Sequence, residues 1–188
     1  MKDNAKPPKK ILVLGPRKAG KTAISNYLGE QVDIDSLGDY RPTKGVRIVE
    51  FESHELEINQ QRIEVDVELW DCSGDLKYRD CWPAIKDGIE GVILVANPDE
   101  NKGDDLRIWY DEFIATSAID PENVLVVLNE IGEKRTNDSA ISDFQLPHQL
   151  SSAVCAPCNL YHEGEQLRLE FNQFLVTIIA KTEVDTGY

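Results

Sequence analysis

The sequence predicts an α/β fold, a mostly parallel six-stranded sheet with one antiparallel edge strand and helices on both faces. Three continuous apolar runs, Lys10–Leu14, Gly91–Ala96 and Val124–Leu128, are typical of strands that are buried on both faces. Amphipathic helical segments alternate with these runs, and such alternation produces a parallel sheet between two helix layers. A glycine-rich motif directly follows the first run, at the sheet edge where folds of this kind bind their ligands.

The composition favours a single domain in the cytoplasm. The chain has 188 residues, of which 41% are apolar, and this is enough for one core and too little for two. Its formal net charge of -14 makes nucleic acid and anionic lipid surfaces poor partners. No apolar stretch approaches the roughly 20 residues of a membrane helix. Neither a glycine at position 2 nor a terminal cysteine is present, so we expect no direct membrane anchor.

The cysteines leave two interpretations open. Cys155 and Cys158 form a C-x-x-C, which is compatible with a redox or zinc site. A zinc ribbon needs a second close pair, and Cys72 and Cys81 are too far apart for that spacing. Reduced thiols in a cytosolic protein are the alternative that the spacing favours.

The first elements along the chain are a strand, a phosphate loop and a helix. Residues 1–9 are predicted to be a disordered leader before the strand that starts at Lys10. A helix is expected over 21–28, where apolar residues share one stripe and the glycine at 29 ends it. Residues 30–44 are rich in Asp and Gly and are expected to form a loop.

The middle of the chain predicts a hairpin and further sheet elements. Alternating apolar residues indicate hairpin strands at Val46–Phe51 and Arg62–Leu69, which supply the antiparallel edge strand. Residues 131–150 are interpreted as a long polar insertion, and a short strand is expected near Ala153–Cys155. A helical face is predicted from Leu106, Trp109, Tyr110, Phe113 and Ile114.

The last helix carries apolar residues at three- and four-residue spacings, which predicts core packing on the sheet rather than a cofactor site. The folded domain is accordingly expected to span 10–182, with a short tail at 183–188. The core positions of this helix are Leu167, Phe171, Phe174, Leu175, Ile178 and Ile179.

Residues 15–22 match G-x-x-x-x-G-K-[ST], the P-loop motif of nucleotide-binding proteins. Its glycines free the backbone so that successive N–H groups face phosphate oxygens, and the following helix adds its positive dipole end. Lys21 can reach the β- and γ-phosphates, and the Thr22 hydroxyl can ligate Mg²⁺. A glycine-rich turn that matches by chance is the alternative, which the flanking strand and helix disfavour. The predicted phosphate-binding residues are Gly15, Pro16, Arg17, Lys18, Ala19, Gly20, Lys21 and Thr22.

A second motif supports a metal-bound phosphate. Asp71 follows the strand that ends at Trp70 and begins a D-x-x-G, so its carboxylate is expected to hold Mg²⁺ and the Gly74 N–H to approach a γ-phosphate. Thr43, in the loop between the two motifs, is predicted to give Mg²⁺ a second hydroxyl. The alternative for Thr43 is a simple turn residue. Thr22, Thr43 and Asp71 are thus the predicted metal ligands.

The order and spacing of these motifs resemble the Ras superfamily over nearly the whole chain. Residues 70–74 (WDCSG), with Tyr78 and Arg79, resemble the Rab pattern. Residues 42–51 and 68–72, with 81–84 (CWPA), more narrowly resemble the Rab-like small GTPase of the intraflagellar transport B complex.

This resemblance implies a Ras-like G domain over 10–182 that binds GTP or GDP with Mg²⁺. It also implies a component of ciliary transport trains that docks onto a coiled-coil pair of transport subunits. Such a protein is expected in the cytoplasm and in the cilium or flagellum, including its base. The missing prenylation cysteines fit this family and depart from true Rabs.

Two residues depart from an active Ras-type enzyme. Position 75 normally carries the glutamine that orients the attacking water, and here it is Asp75. The third P-loop position is normally small, and here Arg17 would crowd the γ-phosphate and the space for an external arginine finger. We therefore expect very slow or absent hydrolysis. Arg17 acting as a finger in cis is the alternative that the sequence favours less.

The guanine-recognition motif is also altered. Asn129 survives from N-K-x-D, but the lysine and the carboxylate do not. The final S-A-K loop is replaced by a segment near Ala156. Asn129 and Ala156 are the predicted base contacts, with Glu130 or Glu133 as a substitute carboxylate, and guanine preference is expected to persist in a weaker form.

Three functions compete on this sequence. The first is a nucleotide-dependent switch or assembly subunit, with a nucleotide-independent scaffold as its limiting case. The second is a true GTPase that needs an activating partner protein. The third is another P-loop enzyme, such as a small-molecule kinase, which the D-x-x-G and the hairpin disfavour.

A cluster of large side chains predicts a protein-binding face. Trp70, Tyr78, Cys81 and Trp82 lie beside the segments that would sense a γ-phosphate, and charged neighbours suggest that Tyr78 and Trp82 are exposed. Burial of all four in the core is the alternative. The expected occupant is a helical partner that prefers the GTP state, and the family resemblance implies that this partner is a coiled-coil transport subunit.

Overall fold

A computed structural model describes residues 7–29, 41–58, 60–133 and 138–185, and confirms the predicted fold class. The strands are β1 (Lys9–Leu14), β2 (Val46–Ile58), β3 (Gln61–Cys72), β4 (Gly91–Ala96), β5 (Val124–Glu130) and β6 (Val154–Asn159). Within the described part of the chain they form one six-stranded sheet in the order β2-β3-β1-β4-β5-β6. Only the β2–β3 pairing is antiparallel. The α-helices are α1 (Lys21–Leu28), α2 (Trp82–Ile85), α3 (Arg107–Trp109), α4 (Asp138–Ser142) and α5 (Leu160–Asp185).

The β2–β3 hairpin is longer than the sequence predicted. Its strands continue beyond the alternating apolar residues to a tight turn at Gln60, whose φ is 64°. The extra length of β2 is mostly polar, although Leu56 is buried, and the strand register shifts between Ser53 and Leu56, so hydrophobic alternation could not mark where the strands end. At the other end β3 includes Asp71, which pairs with Arg47 across the ladder. The hairpin thereby carries Asp71 to the phosphate loop that follows β1.

One face of the sheet is covered by α1 and α5. The apolar stripe of each helix packs on alternate residues of the central strands, as the three- and four-residue spacings predicted. The two helices also contact each other, because the Arg168 guanidinium lies 4.4 Å from the Tyr27 ring centroid and donates a hydrogen bond to the Tyr27 carbonyl. The helical part of this core comprises Ile24, Leu28, Leu160, Leu167, Phe171, Phe174, Leu175, Ile178 and Ile179.

The opposite face is covered by α2, α3 and the π-helical turn Tyr110–Ala115. Leu106, Trp109, Phe113 and Ile114 are buried as predicted. Their backbone is not one α-helix, however, because a 3₁₀ turn precedes α3 and the π-turn follows it. Side-chain spacing identified the buried stripe but could not distinguish these helix types.

Trp82 belongs to this second core, so the prediction that it is exposed is wrong. Its side chain is only 2% exposed, and its ring centroid lies 5.0 Å from that of Phe113 and 5.3 Å from that of Trp109. The charged neighbours that suggested a surface position lie on the 3₁₀ turn Leu76–Cys81, just before α2. Cys81 itself is exposed.

The predicted boundaries differ from the structure at several places. β1 starts at Lys9, inside the predicted leader, and α5 continues to Asp185, into the predicted tail. Residues 1–6, 30–40, 134–137 and 186–188, on which the leader, loop, insertion and tail predictions partly fall, lie outside the described residues. None of the described helices is long and apolar enough to be a membrane span.

The 131–150 segment is less irregular than expected, because its apolar residues pack against the second core. Leu150 is buried, and Ile141, Phe144 and Leu146 lie against the same cluster. The backbone of this segment also closes tightly on Gly103, where a Cβ atom would lie 1.8 Å from the Gln145 carbonyl oxygen.

That close approach predicts a large effect of Gly103→Ala. The added methyl group would overlap backbone rather than a side chain that can rotate, so we expect a loss of about 2 kcal/mol or more in the free energy of unfolding, measured by urea denaturation. Gly88→Ala is the matched control, since a Cβ there meets no atom within 4 Å and only its φ of +68° is strained. It should lose about 1 kcal/mol. Equal losses would contradict the packing of 144–147 on this turn.

Candidate functional site: a phosphate and magnesium site

The P-loop lies between the end of β1 and the start of α1, and two of its glycines are required by geometry. Gly15 has φ +138°, and a Cβ there would lie 2.1 Å from the Val95 carbonyl oxygen. Gly20 has φ +92°, and its Cβ would lie 2.1 Å from the Asn129 side-chain amide. The loop therefore packs closely against the ends of β4 and β5.

Lys21 is the cation of this loop. Its side chain is 6% exposed, and its ammonium donates hydrogen bonds to the carbonyl oxygens of Gly15 (2.9 Å) and Pro16 (2.6 Å). Burial lowers the pKa of Lys21 to about 8, with the Asp71 charge opposing part of that shift. A buried cation held only by carbonyl oxygens is suited to bind an anion at the same position.

The three predicted metal ligands come together. The Thr22 hydroxyl donates to Asp71 Oδ2 at 2.7 Å and lies 3.0 Å from the Thr43 hydroxyl. The Thr43 hydroxyl is 3.4 Å from the same carboxylate oxygen. Helix α1, the loop before β2, and β3 each supply one of these oxygens, which explains why their wide separation in the chain does not separate them in space.

Asp71 has the properties of a ligand for a cation. It is fully buried, and its Oδ1 atom accepts no hydrogen bond within the described structure. Burial raises the pKa of this carboxyl, and the Thr22 hydrogen bond opposes the shift. Two hydroxyls and a carboxylate are hard oxygen donors, so the set fits Mg²⁺, which usually completes its octahedron with waters and substrate phosphates. The described residues contain no cluster of three or more His, Cys, Asp or Glu that would suit another metal.

Arg47 is a member of this site that the sequence interpretation missed. Its Nε lies 3.6 Å from Asp71 Oδ2, and its Nη2 donates to the Asn26 side chain at 2.5 Å. Arg47 and Asp71 are direct partners in the β2–β3 ladder. The sequence could have identified Arg47 if the predicted hairpin pairing had been extended to Asp71, because residues that lie opposite each other share a face of the sheet.

Gly74 and Asp75 close on the P-loop from the other side. A Cβ at Gly74 would lie 2.6 Å from the Arg17 amide nitrogen, so only glycine allows this approach. The Asp75 carboxylate lies 3.8 Å from the Arg17 guanidinium and 3.1 Å from the Lys77 ammonium. The backbone N–H of Lys77 donates to Asp75 and, more than any other interaction, lowers the pKa of its carboxyl. Asp75 is therefore held as an anion.

Among the residues that were predicted to contact the guanine base, Asn129 and the substitute carboxylates Glu130 and Glu133 differ in burial and in their contacts. Asn129 is buried, and its amide donates to the Ala19 carbonyl oxygen at 3.0 Å, which joins β5 to the P-loop. Glu130 is 4% exposed, and its Oε1 has no hydrogen-bond partner within the described residues. Glu133 is exposed, and its carbonyl is 2.7 Å from the His162 ring.

Ala156 does not lie in a loop, and that prediction is wrong. It is a buried core residue within β6, where it pairs with Val127. Strand β6 is longer than the apolar pattern indicated, and it ends at Asn159, whose amide donates to the Gly132 carbonyl oxygen at 3.1 Å. Asn159 therefore lies where the sequence interpretation placed Ala156, beside the altered guanine-recognition segment.

The C-x-x-C does not form a paired site. Cys155 and Cys158 are separated by three positions in β6, so their side chains point to opposite faces of the sheet, one exposed and one buried. Burial raises the pKa of Cys158 and of Cys72 to about 12, which keeps both as thiols. All four cysteines are free, so the reduced-thiol interpretation fits, and the placement of Cys155 and Cys158 on opposite faces does not fit a redox or zinc pair.

The comparisons with known proteins agree with this geometry. Residues 10–132 match the model of Roc, the Ras of Complex domain of DAPkinase. The Caenorhabditis elegans intraflagellar transport associated protein 2 is 39% identical over 95% of this chain and 82% of its own length. The Danio rerio intraflagellar transport protein 22 homolog is also 39% identical, over 88% of this chain and 87% of its own.

Solved structures give the same result. The GTP-bound crystal structure of T. brucei IFT22/74/81 is similar with a TM-score of 0.75 and 26% identity, over 95% of this chain and 99% of that chain. GDP-bound T. brucei IFT22 is similar with a TM-score of 0.70 and 28% identity, over 93% and 97%. The chain therefore belongs to the Rab-like, Ras-type GTPase family of intraflagellar transport protein 22.

Proposed function

We propose that this chain binds GTP and GDP with Mg²⁺ and serves as a nucleotide-dependent assembly subunit of the intraflagellar transport B complex. The observation that carries the proposal is the convergence of Thr22, Thr43 and Asp71 beside a complete P-loop. Similar T. brucei proteins are described as GTP-bound and GDP-bound, which supports the same ligands here.

The phosphate contacts follow from the P-loop geometry. Lys21 exchanges its bonds to the Gly15 and Pro16 carbonyls for bonds to phosphate oxygens. The α1 N-terminus and the loop N–H groups surround the same phosphates. Thr22 and Asp71 would hold Mg²⁺, with Thr43 as a ligand when a γ-phosphate is present. The metal supplies charge neutralisation of the β- and γ-phosphate oxygens.

Hydrolysis is proposed to be very slow or absent. Asp75 replaces the water-orienting glutamine, and its contacts with Lys77 and Arg17 keep it charged and turned toward cations. A carboxylate in this place repels the γ-phosphate and does not orient water as an amide does. A GTPase activated by a partner protein is the second candidate. It would need the partner to displace Asp75 from these two cations.

The partner surface is proposed to consist of the apolar side chains beside the phosphate site. Ile48 and Trp70 are paired across the hairpin, and Ile48 is 46% exposed. Leu76 is 51% exposed on the following 3₁₀ turn, and Tyr78 lies on the same turn. We propose that this patch, without Trp82, binds a coiled-coil pair of transport subunits, in the cytoplasm and at the cilium and its base. A T. brucei relative described as IFT22/74/81 supports such a partner.

The pKa of Lys21 gives the first prediction here, since the Lys21 amine should take up a proton when GTP binds at alkaline pH. Near pH 8.5 most Lys21 is neutral in the nucleotide-free protein, because its pKa is about 8. Phosphates raise that pKa, so binding should consume up to about three quarters of a proton through Lys21 at pH 8.5 and almost none through Lys21 at pH 6.5. Calorimetry in two buffers of different ionisation enthalpy measures the uptake.

Lys21→Ala is the control for that measurement. It should bind GTP roughly 10- to 100-fold more weakly, because a charge-assisted contact is lost, and should lack the proton uptake that the parent shows at pH 8.5. Proton uptake that is equal in the parent and in Lys21→Ala would show that another group is responsible. Unchanged GTP affinity in Lys21→Ala would remove the phosphate-site assignment.

The patch of Ile48, Trp70, Leu76 and Tyr78 gives the second prediction. Ile48→Asp combined with Leu76→Asp should weaken capture of the purified coiled-coil transport subunits by roughly tenfold or more, because both anchors would be charged. Leu169→Asp is the matched control, since Leu169 is an equally apolar, 62% exposed residue on α5. Capture is measured with the GTP- and GDP-loaded proteins. Equal losses in the double variant and in Leu169→Asp would place the interface elsewhere.

A further inference from the structure

Arg47 lies beside Asp71 at the predicted metal site, and neither the P-loop motif nor the D-x-x-G motif includes a basic residue at this position. It is the cross-strand partner of Asp71, so both side chains rise from the same face of the hairpin. The Asn26 side chain, one helical turn after Thr22 on α1, accepts a hydrogen bond from Arg47 Nη2 at 2.5 Å. Strand and helix together therefore hold the guanidinium beside Asp71.

The contact between Arg47 and Asp71 is close but is not a hydrogen bond. Arg47 Nε is 3.6 Å from Asp71 Oδ2, and this buried N–H has no hydrogen-bond partner in the described structure. Asp71 Oδ1 also has none. Buried polar atoms are rarely left unsatisfied, and two of opposite charge beside each other indicate a site built for a further ligand.

We propose that Arg47 is a built-in counter-ion of the magnesium site, which competes with the metal for Asp71 and sets its affinity. The inference rests on the proposed function, because it concerns the metal that accompanies GTP or GDP. When Mg²⁺ binds, Asp71 turns toward it and the guanidinium remains nearby as a repelling positive charge. When Mg²⁺ leaves, Arg47 neutralises Asp71, so the buried carboxylate is never without a cation.

The charges give the direction and the rough size of the effect. A unit positive charge held a few ångströms from a divalent ion in a partly solvated site should weaken metal binding by roughly tenfold or more. Metal binding by the parent protein should thus be weak.

The test uses GDP-loaded protein and Mn²⁺, a hard divalent ion that accepts the same oxygen ligands, with free Mn²⁺ measured by electron paramagnetic resonance. Arg47→Gln should bind Mn²⁺ roughly tenfold more tightly than the parent, whereas Arg47→Lys, which keeps the charge, should stay within about threefold. Arg107→Gln removes an equal charge from an exposed position of α3 on the other face of the sheet and should change nothing. Calorimetry of GDP in EDTA and in Mg²⁺ accompanies each variant.

The outcomes separate this inference from the proposed function. If the parent binds no GDP in either condition, the proposed function fails. If GDP binds and Arg47→Gln has the parent's Mn²⁺ affinity, Arg47 is not a counter-ion of the metal site. If Arg47→Gln does not fold, Asn26→Leu decides, because leucine has a similar size but cannot accept the hydrogen bond that holds the guanidinium. This variant should tighten Mn²⁺ binding by a smaller factor. An unchanged affinity in Asn26→Leu would then overturn the inference.

Discussion

The buried carboxylate of Asp71 is the group around which the rest of the site is arranged. It lies at the end of β3 without exposure to solvent, so its charge must be offset by neighbours. Two hydroxyls and one guanidinium approach it, yet one of its oxygens has no hydrogen bond within the described residues. The sheet order places this carboxylate beside the P-loop, because β1 and β3 are parallel neighbours with Val13 opposite Asp71. The position of Asp71 in the fold thus leaves a buried carboxylate that a cation would stabilise, and the proposed cation is the Mg²⁺ that accompanies the nucleotide.

The altered guanine-recognition segment at Asn129 and Glu130 is expected to contribute less to nucleotide binding than the P-loop and the metal site. The Asn129 amide donates a hydrogen bond to the Ala19 carbonyl oxygen, so Asn129 also connects β5 to the P-loop. The buried Glu130 places a carboxyl group where the related motif carries lysine. Phosphates and metal therefore supply the larger share of the expected binding free energy, since charge-assisted contacts are stronger than neutral ones. Guanine selectivity remains a prediction that depends on contacts outside the N-K-x-D pattern.

Much of the fold followed from the sequence because buried parallel strands and the P-loop have strong local patterns. Lys10–Leu14 and Gly91–Ala96 were recognised because a strand covered on both faces is apolar at every position. Trp82 was misplaced because its charged neighbours lie on a 3₁₀ turn that exposes them while the indole turns inward. Arg47 was missed because its role depends on cross-strand register, which a hairpin pattern that stops at Leu69 does not specify. Ala156 was misplaced because β6 continues through polar and proline residues that no apolar pattern marks.

The nucleotide that copurifies with the protein tests the central claim most directly. Protein purified in Mg²⁺ would be denatured, and the released nucleotides would be separated and quantified by ion-exchange chromatography. The phosphate and metal geometry, together with membership of this family, predicts GDP or GTP in the parent and almost none in Lys21→Ala. Adenine nucleotides in the parent, or equal guanine nucleotide content in a folded Lys21→Ala, would contradict it.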